Sequence, residues 1–361
     1  MNTRLALVPF SLLFVLTFFM NCAQSSSHSR KPVTAIQIEP AKKSFKLGEE
    51  LKINFQTKLK EGKLEKIELS IDGKVIQTSQ NLTNAVVVKT FDFGVGKHIV
   101  RSSVYRTDGI SGDNYEEFYV LSNTKPTKYS YQIVAEYPHN VNFFTQGFEF
   151  HNNVLYEGTG QEGTSAIYRH DLKTAKTQTI YKLENKYFAE GITILNNKIY
   201  QLTYKNRMGF VYDLSSAKLL NTWKYNSNEG WGLTNDGHSL IMSDGTEKIY
   251  FINPETYREE RYIQVSNDLN LVKNINELEY IKGDIWANIW QSEMVVIIDP
   301  QSGKVKGEIN LAGLSGTILQ NQREQIDVLN GIAWNQVTDK IYVTGKLWPK
   351  IFEIKIIKIE N

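Results

Sequence analysis

Ala189-Glu-Gly-Ile-Thr-Ile-Leu-Asn-Asn-Lys-Ile-Tyr200 reads as an apolar strand, an Asn-Asn turn and the start of a second apolar strand. Four other stretches share its layout. Thr145-Gln-Gly-Phe-Glu-Phe150 precedes Val154-Leu-Tyr156, and Gly230-Trp-Gly-Leu-Thr-Asn235 precedes Ser239-Leu-Ile241. Ile275-Asn-Glu-Leu-Glu-Tyr280 precedes Asp284-Ile-Trp286, and Leu329-Asn-Gly-Ile-Ala-Trp334 precedes Lys340-Ile-Tyr342. Third strands follow at Ala166–Asp171, Gly209–Asp213, Lys248–Ile252 and Val295–Asp299, and the Asp that ends three of them suits a turn. From Gly147 through Gly191, Gly232 and Glu277 to Gly331 the spacings are 44, 41, 45 and 54 residues. Short strands recurring at this period predict propeller blades, five of them over residues 129–358. The long fourth interval predicts an insertion between Gly313 and Val328. The last repeat runs out after Ile351–Ile356 with three strands, so Tyr129–Ala135 is expected to supply the fourth and close the ring without a long open edge.

Upstream, residues 31–124 hold shorter segments that alternate apolar and polar side chains, such as Glu50-Leu-Lys-Ile-Asn-Phe55 and Lys66-Ile-Glu-Leu-Ser-Ile71. Alternation is the mark of half-buried strands, and Asp72-Gly73 before Lys74-Val-Ile-Gln77 is a hairpin signal. About seven such strands predict an immunoglobulin-like β-sandwich. The fold class is therefore all-β, a sandwich followed by a five-bladed propeller. Ser122-Asn-Thr-Lys-Pro-Thr-Lys128 reads as the linker between them.

The N-terminus is of another kind. Arg4 precedes a charge-free, mainly apolar run, Leu5–Met20, and a polar flank follows, the pattern of a secretory signal over residues 1–21. The run is short for a membrane-spanning helix. Cys22, the only cysteine, stands where bacterial lipoproteins place the residue that is lipidated, and the Ser-rich residues 22–30 suit a tether. An ordinary signal peptide that happens to contain a cysteine is the other reading, since Met20 and Asn21 are not the residues a lipoprotein signal favours. A lipidated Cys22 makes the protein exported, periplasmic or at the cell surface, anchored to a membrane that it does not cross.

Composition excludes several classes. One Cys forbids an intramolecular disulfide or a Cys-rich zinc site. With 41 Lys+Arg against 39 Asp+Glu, no basic footprint marks a nucleic-acid partner. The six His lie singly, at no metal-ligand spacing. No metal and no cofactor are expected, and nothing calls for more than a monomer.

The blade starts carry a resemblance. Pro138-His139 with Phe144-Thr-Gln-Gly147, Phe188-Ala-Glu-Gly191, Glu229-Gly-Trp-Gly232, Asn276-Glu-Leu-Glu279 with Trp286-Ala-Asn-Ile-Trp290, and Thr344-Gly-Lys-Leu-Trp-Pro349 resemble the plant and bacterial type of glutaminyl-peptide cyclotransferase, a five-bladed propeller family. The resemblance covers nearly all of Tyr129–Lys355 and leaves the sandwich outside. It implies conversion of an N-terminal glutamine to pyroglutamate with release of ammonia, the substrate being a peptide or protein. It implies Glu190 as the general acid/base, with Gln146, Asn276 and Lys346 as polar contacts to substrate or oxyanion. Phe144, Phe188, Trp231 and Trp290 become pocket walls, as does Tyr204, which stands where the family is expected to carry Trp and so bears on substrate preference. The unrelated zinc-dependent animal enzymes are not the comparison.

These residue types suit that chemistry. The substrate's own α-amine attacks its γ-amide carbon, so the nucleophile is already tethered. One carboxyl group in a dry pocket can take the amine proton and return it to the leaving ammonia, while polar donors hold the developing oxyanion. Judged by type alone, Trp231 and Trp290 suit core packing as well as a pocket. Trp286 and Trp334 are assigned to packing between blades, and Trp348 stays open. The competing reading is a non-catalytic lipoprotein whose propeller or sandwich binds a partner.

Overall fold

A computed structural model describes residues 29–174, 176–318 and 326–360. The signal, Cys22 and most of the tether lie outside the described residues. Among the described residues no helix is long and apolar enough to cross a membrane.

Alternation builds the first unit. Along Glu50–Lys58 every second side chain is buried, and two sheets result. One is ordered Val33–Glu39, Glu50–Lys58, Thr83–Lys89; the other is ordered Ser44–Lys46, Ser111–Leu121, Gly96–Arg106, Leu64–Ile71, Lys74–Ser79. Their inner faces meet in a core that includes Leu51, Ile53, Phe55, Leu69, Val100 and Phe118, the packing of a β-sandwich. Asp72 and Gly73 both take positive φ (50° and 82°), so Ile71 turns straight back to Lys74; two left-handed turn residues match the twist of a hairpin.

The propeller strands do not alternate, for a physical reason. Each inner strand is covered on both faces by neighbouring blades: Ala189–Leu195 is buried at every position, whereas the outer strand Leu219–Lys224 of the same blade is almost wholly exposed. Blades one to four are Thr145–Lys182, Ala189–Lys224, Leu233–Gln264 and Ile275–Asn310, each four antiparallel strands in sequence order. Blade five has Leu329–Asn335, Lys340–Gly345 and Lys350–Lys358, and its outer strand is Thr127–Pro138, paired antiparallel from Lys350↔Pro138 to Lys358↔Tyr129. The closing strand also does something the sequence did not suggest. Its first residues, Thr127–Tyr129, pair in parallel with Gly307–Ile309 of blade four, which joins two blades into one eight-stranded sheet. The insertion falls between Asn310 and Leu329 and includes a short 3-10 turn at Ser315–Thr317. Asp171, Asp213 and Asp299 each accept backbone N–H bonds from the residues two and three positions on, as turn-formers do.

Glycine recurs at blade starts because the ring is crowded at its centre. A Cβ on Gly147 would lie 2.4 Å from Ile192 N, one on Gly191 2.4 Å from Leu233 N, and one on Gly232 2.0 Å from Asn276 O. Blade four carries Glu277 in the same column, and its carboxyl accepts Phe148 N (3.2 Å) from blade one and Ile332 N (2.9 Å) from blade five. Two residues further along, a second polar column staples neighbours: Glu149 accepts Thr193 Oγ1 (2.6 Å) and Ile194 N, Thr234 Oγ1 accepts Tyr280 N, and Glu279 accepts Trp334 N. Burial pushes the Glu149 carboxyl up to about 7.

The sandwich is docked on the propeller. Gln264 accepts Lys97 N (2.8 Å) and donates to Lys97 O (3.2 Å), and Ser122 N donates to Asn267 O (3.1 Å). The polar stretch read as the linker, Ser122–Lys128, is pinned at its start and becomes strand from Thr127.

Candidate active site

Four of the five inner strands break register at the same place: between Thr145 and Gly147, Ala189 and Ile192, Ile275 and Leu278, and Leu329 and Ile332. A bulge re-aims the side chain it contains, and the residues caught in these are Gln146, Glu190, Asn276 and Asn330. Gln146, Glu190 and Asn276 point into one cavity of about 390 Å³ at that mouth of the ring. All nine residues named from the sequence line it: Glu190, Gln146, Asn276, Lys346, Phe144, Phe188, Tyr204, Trp231 and Trp290. Gln291, Asp327 and Val328, which sequence reading did not single out, complete the lining.

The aromatics form two walls. Phe144 meets Phe188 edge-on at 6.1 Å and Phe188 meets Tyr204 at 5.7 Å; opposite them Trp231 and Trp290 make an edge-on pair at 5.6 Å, the geometry ring quadrupoles favour. Trp290 is 36% exposed and forms the rim. Trp231 is fixed by its Nε1, which donates to Glu229 Oε2 at 3.0 Å.

Lys346 owes its place to the residues after it. Leu347 adopts a left-handed backbone (φ 61°), and its N–H bonds to Phe143 O at 2.8 Å. Trp348, whose role the sequence left open, is fully buried; it lies flat against Gly345, where a Cβ would come within 2.3 Å of the ring, and donates Nε1 to Asp327 O at 2.8 Å. The Gly-Lys-Leu-Trp motif is therefore a folded clip that drives Lys346 into the pocket. Its Nζ sits 4.7 Å from the centre of the Phe144 ring, a cation–π contact. Burial lowers the Lys346 ammonium from its usual value, against the opposing pull of Glu190 and Asp327.

Glu190 is 5% exposed. Burial raises its carboxyl well above the usual range; Lys346 works the other way, and Glu229 adds to the rise. A carboxyl that is buried, raised and faces a cavity is poised for proton transfer. Among the described residues no group of three His, Cys, Asp or Glu is arranged to hold a metal.

Behind the cavity lies a cluster that scattered histidines concealed. Glu157, fully buried, accepts His139 Nε2 at 3.1 Å and Thr145 Oγ1 at 2.7 Å, and His170 Nε2 lies 2.7 Å away, poorly aligned for a hydrogen bond. His139 Nδ1 reaches Trp348 O at 2.7 Å. One buried carboxylate thus braces the segments on both sides of Gln146 and Lys346. Burial pushes its carboxyl up, but the charge and hydrogen bond of His139 together with the contributions of His170 outweigh that and hold it well below the usual carboxylate range; the Glu157 charge raises His139 in turn, against burial.

The glutamine cyclotransferase family matches residues 110–356, beginning earlier than the resemblance at Tyr129 and taking in the last strand of the sandwich. The glutaminyl-peptide cyclotransferase of Arabidopsis thaliana is 40% identical over 226 residues, 62% of this chain and 71% of that protein. The crystal structure of the Myxococcus xanthus glutaminyl cyclase superposes with a TM-score of 0.58 at 33% identity, covering 65% of this chain and 100% of that one. The chain belongs to the glutamine cyclotransferase family.

Proposed function

We propose that this chain is a glutaminyl-peptide cyclotransferase, closing the N-terminal glutamine of peptides or proteins to pyroglutamate. The observation that carries the reading is the convergence of Glu190, Gln146, Asn276 and Lys346 inside one aromatic-walled cavity. The aromatic walls grip the aliphatic stem of glutamine and fold it towards a five-membered ring. The neutral α-amine attacks the γ-amide carbon; the new C–N bond forms as the carbonyl electron pair moves to oxygen. Glu190 takes the amine proton and gives it to the departing amide nitrogen; the oxygen's electron pair then re-forms the carbonyl as the old C–N bond breaks and ammonia leaves. Gln146, Asn276 and Lys346 donate to the oxygen while it carries charge. A propeller that only bound a partner would gain nothing from a buried carboxyl with raised pKa. Every residue invoked comes from one chain, so the proposed chemistry calls for no second copy.

The residue 23–361 fragment is expected to release ammonia from dipeptides that begin with Gln, without added metal, and not from those that begin with Asn, whose shorter side chain would have to close a four-membered ring. No ammonia from several Gln peptides would refute the activity. The export reading makes Cys22 the lipid anchor, which holds the enzyme at a bacterial membrane. Cys22→Ala should then move the protein from the membrane to the soluble fraction; an unchanged distribution counts against the anchor.

A further inference from the structure

The residue that precedes glycine, or Glu277, at each blade start is Gln146, Glu190, Trp231, Asn276 or Asn330. The first four line the cavity and Asn330 does not. It is fully buried just behind, where its Nδ2 donates to Thr145 O at 2.9 Å and to Gln146 Oε1 at 3.3 Å. The first of these bonds decides the second. A backbone carbonyl can only accept, so Asn330 must turn its NH2, not its oxygen, towards Thr145. That same NH2 then faces Gln146, which must answer with its own oxygen. The amide of Gln146 is left with its NH2 as the group free for the cavity, since Nε2 has no protein partner among the described residues. Side-chain amide oxygen and nitrogen have nearly the same shape, so only a network of this kind sets which one is presented.

The surroundings hold Asn330 in that role. Gly331 N donates to Asn288 Oδ1 at 2.9 Å, and the Gly331 backbone (φ 127°) brings Asn330 against Thr145. Thr145 is held in turn through its hydroxyl by Glu157.

We propose that Asn330 is a positioning residue that locks the Gln146 amide with its NH2 towards the cavity, making Gln146 a donor to the γ-carbonyl oxygen of the substrate as the amine attacks. The inference rests on the reading of Gln146 as an oxyanion contact. It also explains why the fifth blade keeps an amide in this column although it does not reach the substrate.

The test is a double-mutant cycle on purified enzyme, read as kcat and KM for a Gln-initiated dipeptide, with thermal melting as a check on the fold. Gln146→Ala should lower kcat by about 10²–10³-fold, the loss of one oxyanion donor. Asn330→Asp has at most one proton to give, and Thr145 O takes it; Gln146 then turns its NH2 inward and shows the substrate an oxygen. Its kcat should fall by ~10-fold or more with KM within ~3-fold, the signature of an interaction made in the transition state. Asn330→Ala leaves the Gln146 amide unconstrained and should cost less, about 2–5-fold in kcat. A mere packing role predicts the reverse order, because Asp fills the same space and Ala leaves a hole. In the Gln146→Ala background either change at 330 should alter kcat by less than ~2-fold, because the group it orients is gone. Should Asn330→Asp not fold, the same non-additivity is read with Asn330→Ala. Wild-type kcat in both Asn330 variants, or full multiplication of effects in the double variants, overturns the proposal. Wild-type kcat in Gln146→Ala is a separate failure, that of the reading on which the proposal stands.

Discussion

Glu190→Gln is expected to lower kcat by about 10²–10⁴-fold, the usual worth of a positioned general acid/base, while leaving the melting temperature unchanged or higher at pH 8. The two effects share a cause. Burial holds the carboxyl well above its ordinary value, so the folded protein binds that proton more tightly than the unfolded chain does. Above the unfolded pKa of 4.5 the folded state is progressively penalised as pH rises towards the folded pKa. Gln has the same shape and no charge to bury, so it escapes that penalty. The gap in melting temperature between variant and wild type should therefore widen in favour of the variant from pH 5 to pH 8. The same shift places the acid limb of the kcat profile above the usual glutamate range. The lowered Lys346 places the alkaline limb below the usual lysine range, and kcat, unlike kcat/KM, reports the bound complex and not the free substrate amine. A Glu190→Gln variant that turns over like wild type would remove Glu190 from the mechanism, and one that melts earlier at pH 8 would overturn the raised carboxyl.

The propeller could be read from the chain because it repeats. Gly147, Gly191 and Gly232 recur since the inner backbones touch, and the same crowding aligns the residues before them at one mouth of the ring. That column gave Gln146, Glu190, Trp231 and Asn276, and it also held the clue to Asn330, which stands in register with them. Contacts made across the ring carry no such period. His139 and Glu157 are 18 positions apart and His170 lies one strand further on, so no local spacing betrays that all three meet. The signal that was present is chemical: Glu157 sits in Val154–Thr159, a strand buried at every position after the first, and a carboxylate there requires a partner. The second pairing of the closing strand, to Gly307–Ile309, left no mark beyond alternation. Docking of the sandwich rests on Gln264 and Ser122, ordinary polar residues whose partners lie well over a hundred positions away.

Glu157→Gln should destabilise the protein by about 3 kcal/mol, since removing one partner of a buried pair leaves the other without compensation. In a domain of this size that lowers the melting temperature by roughly 6–12 °C. Its dependence on pH separates a charged pair from a neutral hydrogen bond. His139 is raised in the folded state, so its contribution is fully present below the unfolded value of 6.5 and is lost as pH rises through the folded pKa. Glu157 is depressed, so its contribution is present above 4.5 and is lost as pH falls towards the folded pKa. Both are in force between 4.5 and 6.5, and the deficit of the variant should be largest there. It should shrink on the alkaline side as His139 gives up its proton. Equal deficits at pH 5.5 and pH 9.5 would mean that His139 is neutral throughout and that Glu157 holds it by a hydrogen bond alone. Activity should follow stability only in part. Thr145 loses the carboxylate that holds its hydroxyl, and Thr145 O is the fixed point from which Asn330 and then Gln146 take their orientation. A fall in kcat at temperatures where the variant is still fully folded is therefore expected, because the brace behind the pocket and the donor within it are links of one chain.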